Sequence, residues 1–276
     1  MTSFKELKKN RTKNMESLSK QVEKLAEKPS YIDERIWKLE RDKSGNGYAV
    51  IRFLPAPQKE DVPWVRVFTH GFKGPGGWYI ENSLTTLGKD DPVSKANTAL
   101  WNSGIESDKN IARDRKRKLN YYSNVLVLED SANAENEGKV FLFRYGKKIF
   151  EKITSVMTPE FKDETPLNPF DFWEGANFKI KMRQIDGFAN YDKSEFSDPS
   201  PLGDDAKCET IWKQQYSLKD FENSDNFKSY QELEARFNTV IGGESDFGTV
   251  EEAEETVSAE TSDSSLDYFK KLAETE

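Results

Sequence analysis

Residues 113–124 read RDRKRKLNYYSN, with five cationic side chains in six positions broken only by Asp114, then two adjacent tyrosines. Mobile cations suit phosphate oxygens. Flat amphipathic rings suit unstacked bases, each stack being worth roughly 1–3 kcal/mol whatever the base. The pairing recurs: FRYGKK supplies Phe143, Arg144, Tyr145, Lys147 and Lys148, and RQIDGFANYDK supplies Phe188 and Tyr191. Taken singly, each ring fits a core position and each cation a solvated strand face. Three such clusters, with a basic N-terminal segment besides, point to single-stranded nucleic acid. Tyr121 and Tyr122 are consecutive, so on a strand they face opposite ways, and at least one is expected to be an exposed ring.

Catalytic chemistry has less to work with. The chain holds one histidine, His70, so acid–base work falls to carboxylates. Asp90-Asp91 and Asp204-Asp205 lie in polar stretches where solvated turns explain them. SGNG and GPGG lack the lysine of a phosphate-binding loop and fit hairpin turns better. A binding protein, not an enzyme, is therefore expected. The alternatives are a single-stranded RNA binder, a metal-dependent nuclease, and an adaptor that only presents its C-terminal segment.

A net charge of −8 over 276 residues hides a strong asymmetry. Residues 244–276 carry −9, and residues 1–28 carry +4. A basic arm (residues 1–27) and an acidic tail (residues 244–276) thus bracket a body at residues 28–243. Such a distribution reconciles an acidic chain with an anionic ligand. No run of about 20 apolar residues is present. The N-terminal stretch has no apolar signal core, and the single cysteine, Cys208, fits a reducing compartment. A cytoplasmic protein with no membrane association is expected.

The elements that must hold these residues are mostly strands. IWKLERDKSGNGYAVIRFLP reads as a hairpin turning at Asn46-Gly47, with Val50, Ile51, Phe53 and Leu54 in its second strand. PWVRVFTHGF and GPGGWYIEN read as a strand and its returning partner. NYYSNVLVLED is a further strand, and ENEGKVFLFRYGKKIFEKI is a strand followed by a helix opening near Lys147. NFKIKMRQIDGFANY is another hairpin, in which Phe178, Ile180 and Met182 alternate with Lys179, Lys181 and Arg183. Residues 82–112 are polar and poor in strand formers, which predicts an irregular or short-helical insertion. Helical spacing recurs at Met15, Leu18, Val22 and Leu25 and from Ser229 to Val240. The tail has the composition of disorder, and its last segment, SSLDYFKKLAE, suits a short helix that orders on a partner. The sum is a mainly β chain with helices (α+β), best matched by an OB-type barrel with an insertion at about residues 70–112.

Several segments, GNGYAVIRFLP, HGFKGPGGWYIE, KRKLNYYSNVLVLED, ENEGKVFLFRYGKKIF and WEGANFKIKMRQIDGFANYD, resemble in order the single-stranded DNA-binding (helix-destabilising) proteins of T4-like bacteriophages. The resemblance covers roughly residues 35–195. It implies an OB-fold core with a cleft, an arm for cooperative self-association, and sequence-nonspecific coating of DNA in replication, recombination and repair. It also implies that the tail recruits replication and recombination proteins (polymerase, primase-helicase and its loader, recombinase) in the host cytoplasm. By position, Lys116, Arg117 and Lys118 match the family's basic cluster, and Tyr121, Tyr122, Phe143 and Tyr191 match rings lining the cleft, with Phe188 close by. The family's arm motif is met in shifted form by Lys8, Lys9, Arg11, Thr12 and Lys13. The departure is at the family's zinc site of one histidine and three cysteines. His70 matches the histidine, but Ser83, Asp91 and Ser94 stand where thiolates are expected. Hydroxyls are poor zinc ligands, so no cofactor is expected and Trp78, Tyr79 and Leu87 are expected to hold the insertion by packing.

Overall fold

The computed structural model describes residues 33–185 and 187–242. The chain divides into two units, Met1–Glu34 and Arg35–Glu276, and the described structure lies almost wholly in the second. The expected arm helix, the arm motif and the acidic tail fall outside the described residues.

In chain order the strands are β1 (Ile36–Trp37), β2 (Gly47–Phe53), β3 (Val65–Gly74), β4 (Gly77–Asn82), β5 (Lys118–Asp130), β6 (Val140–Tyr145), β7 (Ala176–Ile185), β8 (Phe188–Asn190) and β9 (Glu195–Pro199). The α-helices are α1 (Pro92–Asn102), α2 (Glu106–Asp114), α3 (Lys147–Met157), α4 (Asp205–Lys213) and α5 (Tyr230–Gly242). The fold is mixed α+β, with all nine strands in one sheet. Its hub is β5, rich in β-branched and aromatic residues. One edge of β5 pairs with β6; the other pairs first with β3 and then with β2, all antiparallel. β2 in turn pairs with β7, which carries β8 and β9.

Alternation along these strands builds two apolar layers. One face of β5 and β6 contributes Tyr121, Val125, Val127, Phe143 and Tyr145 to the main core, joined by Phe53, Phe178, Ile180 and, from α3, Ile149 and Ile153. The other face is covered too: Leu126 and Val140 meet Cys208 and Ile211 of α4, while Tyr122 and Leu142 meet Val65, Val67 and Leu218. In β7 the expected alternation holds, with Phe178, Ile180 and Met182 buried and Lys179, Lys181 and Arg183 more open.

The first expected hairpin does not form. β1 pairs in parallel with β6, not with β2, because Trp37 is buried in the main core and its indole N–H donates to Asp130 at 2.8 Å. The turn before β2 lies at Asp42–Asn46: the Asp42 carboxylate accepts the N–H of Ser44 and of Asn46, and Gly45 takes the positive φ of +80°. Gly47 is already in the strand.

Residues 82–112 take the short-helical form. A 3-10 turn at Leu84–Leu87 leads through the Asp91 N-cap into α1 and then α2. The layer beneath joins Phe72 and Tyr79 of the β3–β4 hairpin to Leu84, Val93 and, from α5, Leu233, Phe237 and Val240. Of the three residues expected to pack here, Tyr79 is fully buried and Trp78 and Leu87 are half-buried, Leu84 filling the core place beside them. The hairpin tip meets α5 without side-chain clearance: Gly76 N–H donates to Val240 at 2.8 Å, and a Cβ there would lie 2.1 Å from the Thr239 oxygen.

Candidate nucleic-acid interface

The five cations of residues 113–118 have different fates. Arg113 pairs with Glu106 at 2.7 Å and lies over Trp101. Arg115 places its guanidinium 5.6 Å from the ring centres of both Phe72 and Phe237. Lys116 and Arg117 are exposed, and Arg117 lies 4.2 Å over the Phe68 ring. Lys118 is half-buried; burial pushes its ammonium pKa down, and the charge of Arg144 pushes the same way. No described carboxylate pairs with Arg66, Lys116, Arg117, Lys118 or Arg144. Two like charges held close without an acid are electrostatically poised for an anion.

The rings are less accessible than their types suggested. Tyr121, Tyr122, Phe143 and Tyr145 are all buried, with 4–8% of their surface exposed. Tyr121 stacks on Phe150 of α3 at 4.0 Å, Tyr122 stacks on Phe221 at 4.2 Å, Phe143 packs on Trp37, and the Tyr145 hydroxyl meets Ser123. The expected exposed ring at Tyr121 or Tyr122 is absent because both faces of β5 carry a packed layer. Phe188, at the β7–β8 turn, is 42% exposed, and Tyr191 is half-buried against the main core. Lys147 is paired with Glu151 at 3.3 Å and Lys148 with Asp192 at 3.8 Å. The candidates therefore fall into three places: open cations at the start of β5 with Arg144, rings within the core, and a second group at β8 and the start of α3.

Sequence reasoning missed a groove of about 500 Å³ beside the first place. Trp64, Arg66, Phe68, Thr85, Lys219 and Glu222 are among its lining residues. It lies along β3 beside Thr85 and Thr86. The Phe68 N–H and C=O are taken by Thr86 Oγ1 and the Ser83 N–H on that edge of β3. By antiparallel geometry the Arg66 main chain, two residues earlier, turns the same way, into the groove. In register Arg66 lies opposite Tyr121 and Val65 opposite Tyr122. The available signal was Arg66 itself, a lone cation interrupting the apolar alternation of PWVRVF.

Behind this edge lies the polar cluster that sequence matching singled out. His70, Ser83 and Asp91 are buried, with Ser94 beside them. His70 Nε2 is 3.2 Å from Asp91 Oδ1 and 3.5 Å from Ser94 Oγ, while Nδ1 is 3.0 Å from the Arg115 carbonyl oxygen. Asp91 also accepts from Ser83 Oγ–H at 3.0 Å, Leu84 N–H at 3.2 Å and Ser94 N–H at 2.9 Å. Among the described residues no three His, Cys, Asp or Glu side chains gather where they could hold a metal ion. A donor set of one imidazole, one carboxylate already engaged by three donors, and two hydroxyls does not fit zinc.

Comparison with known proteins places this architecture. A family model described as "gp32 DNA binding protein like" matches residues 45–241. The chain belongs to the gp32-like DNA-binding protein family. It is 40% identical over 214 residues to the single-stranded DNA-binding protein of Enterobacteria phage T4, covering 76% of this chain and 71% of that one. It is 39% identical over 237 residues to the single-stranded DNA-binding protein of Enterobacteria phage T2, covering 83% and 78% respectively. The gp32-like match runs from the turn before β2 into α5, so the open cations, the groove and the His70 cluster all lie inside it. A binding protein rather than an enzyme, as the residues implied, agrees with this gp32-like membership. No helix among the described residues is long and apolar enough to cross a membrane.

Proposed function

We propose that the protein coats single-stranded DNA without sequence preference, in the replication, recombination and repair of a T4-like phage within the host cytoplasm. One observation carries the reading: Arg66, Lys116, Arg117, Lys118 and Arg144, none paired with a described carboxylate, gather about the start of β5 and its neighbours β3 and β6, and Arg66 with Phe68, the ring under Arg117, lines a groove whose wall also carries Trp64, Glu60, Asp61 and Glu222. Phosphates follow these cations, and bases enter against Trp64 and Phe68. The buried rings Tyr121, Tyr122, Phe143 and Tyr145 shape the wall from behind. Phe188, Tyr191, Lys147 and Lys148 extend the path past α3. The sheet is read as an OB-type barrel interrupted by the helical insertion. The insertion is metal-free, its zinc replaced by the His70–Asp91–Ser83–Ser94 hydrogen bonds.

The basic arm, through Lys8, Lys9, Arg11, Thr12 and Lys13, joins neighbouring copies head to tail along the strand, an arrangement that gives open filaments and not closed rings. The acidic tail competes with DNA for the cations from a high effective concentration, and once displaced it is free for replication and recombination proteins.

One series of titrations tests the reading: full-length protein and chains lacking residues 1–14 or 244–276, each binding oligo(dT), matched RNA and duplex across a range of salt. With five cations engaged, the affinity of the full-length protein for oligo(dT) falls with a log–log salt slope of about −3.5. RNA and duplex compete less well. Loss of the arm lowers cooperativity much more than affinity for a short oligonucleotide, and loss of the tail tightens binding most at low salt. A flat salt response, or equal affinity for duplex, contradicts the reading.

A further inference from the structure

We propose that Asn97 and His70 are positioning residues for the DNA-facing cations: by holding the Arg115 carbonyl, they fix the direction in which Lys116, Arg117 and Lys118 leave the helical insertion. The inference rests on the interface reading above and assigns the insertion a part in it.

Arg115 is held on every side. Its carbonyl oxygen accepts from Asn97 Nδ2 at 3.0 Å and lies 3.0 Å from His70 Nδ1. Its N–H donates to the Ile111 oxygen at 3.1 Å, closing the end of α2. Its guanidinium rests over Phe72 of β3 and Phe237 of α5. Residues from α1, α2, β3 and α5 therefore converge on this one half-buried residue. Asn97 Nδ2 makes this contact, and Asn97 Oδ1 has no partner among the described residues.

Two residues later the chain meets a second anchor. Arg117 lies over Phe68, and both main-chain polar groups of Phe68 are occupied by Ser83 and Thr86. The chain is thus held at Arg115 and again at Arg117, on either side of Lys116, and enters β5 at Lys118. Cations preorganised in this way lose less side-chain freedom when phosphates arrive than cations on a loose loop. His70 is tied on its other side to Asp91 and Ser94, so the polar cluster behind the insertion reaches the interface through a single carbonyl.

The test uses the full chain, because replacing His70 could unfold the insertion whereas Asn97 is half-buried and removable. Asn97→Ala, Asn97→Gln, Arg117→Ala and the Asn97→Ala/Arg117→Ala double variant are titrated with a short fluorescent oligo(dT), well below their melting temperatures. Asn97→Ala is expected to raise Kd about 5-fold to 10-fold, with the salt slope shallower by about 0.7, one phosphate contact. Asn97→Gln, which keeps an amide donor, recovers part of the loss. In the Arg117→Ala background the same Asn97 change costs less, because only Lys116 and Lys118 still depend on the Arg115 carbonyl. An equal loss in both backgrounds overturns the proposal, as does unchanged affinity in folded Asn97→Ala. Wild-type affinity in Arg117→Ala instead overturns the interface reading, and the proposal with it.

Discussion

Replacing Lys116, Arg117 and Lys118 together with glutamate lowers affinity for oligo(dT) by more than about 10²-fold at 0.1 M salt. Each phosphate neutralised on a single strand contributes a slope of about −0.7, so one contact is worth about 5-fold at that salt and three about 10²-fold. Reversal adds repulsion to the loss. The three side chains pair with no described carboxylate, so no ion pair within the described structure is broken and the effect falls on binding. The salt slope becomes shallower by about 2. All sequences suffer alike, because phosphates carry no base information. Farther along the proposed path, Lys147→Glu with Lys148→Glu costs much less, because those cations already face Glu151 and Asp192. A triple variant that binds as the native chain does, or that loses only one sequence, contradicts the assignment.

The second large effect is on stability. Asp91→Ala removes the acceptor for Ser83, Leu84 and Ser94 and leaves His70 facing an emptied, buried site. Breaking a buried pair in this way costs on the order of 3–5 kcal/mol. In a domain of about 200 residues that lowers the melting temperature by about 10 °C or more. pH gives an independent reading. Burial alone would raise the Asp91 carboxyl, but hydrogen bonds from His70, the Ser94 N–H and Ser83 outweigh it and hold the pKa at about 2. A carboxyl depressed in the folded state stabilises above its unfolded pKa, near 4, and loses that contribution as pH falls through about 2. Asp91→Asn should therefore flatten the acid limb of the stability profile between about pH 4 and pH 2 while lowering stability at neutral pH. Thermal melts across that range decide it, and an acid limb unchanged in Asp91→Asn would show that the cluster does not hold the insertion. The native protein should also melt at the same temperature with and without a chelator.

Much of the fold was legible because its strands announce themselves locally. The alternation of NFKIKMRQI and the long β-branched run of NVLVL need no partner to be recognised. The hairpin at Asn46-Gly47 failed for the opposite reason. β1 is two residues long and finds its partner β6 more than a hundred positions away, led by the burial of Trp37 and its bond to Asp130. Local turn chemistry carries no information about such a pairing.

The site shows the same division. That cations gather before β5 is plain in the letters. Which of them are spent is not: Arg113 goes to Glu106 and Arg115 to two rings, while Arg117 stays at the surface, and each outcome depends on residues distant in the chain. Alternation correctly places Tyr121 and Tyr122 on opposite faces of the strand. It says nothing of whether the second face is solvated, and here Phe221 covers it. The groove was illegible because its wall is assembled from three separated segments around Trp64, Thr85 and Lys219.

The proposed interface is one surface where a single strand would meet both charge and rings. The most direct measurement is zero-length photocrosslinking of oligo(dT) carrying 4-thiothymidine to the full-length protein, with the attached peptides mapped. Adducts at Trp64, Phe68 and residues 116–118 are predicted. Adducts confined to exposed rings elsewhere, such as Phe161 and Trp173, would place the DNA on another face and contradict it.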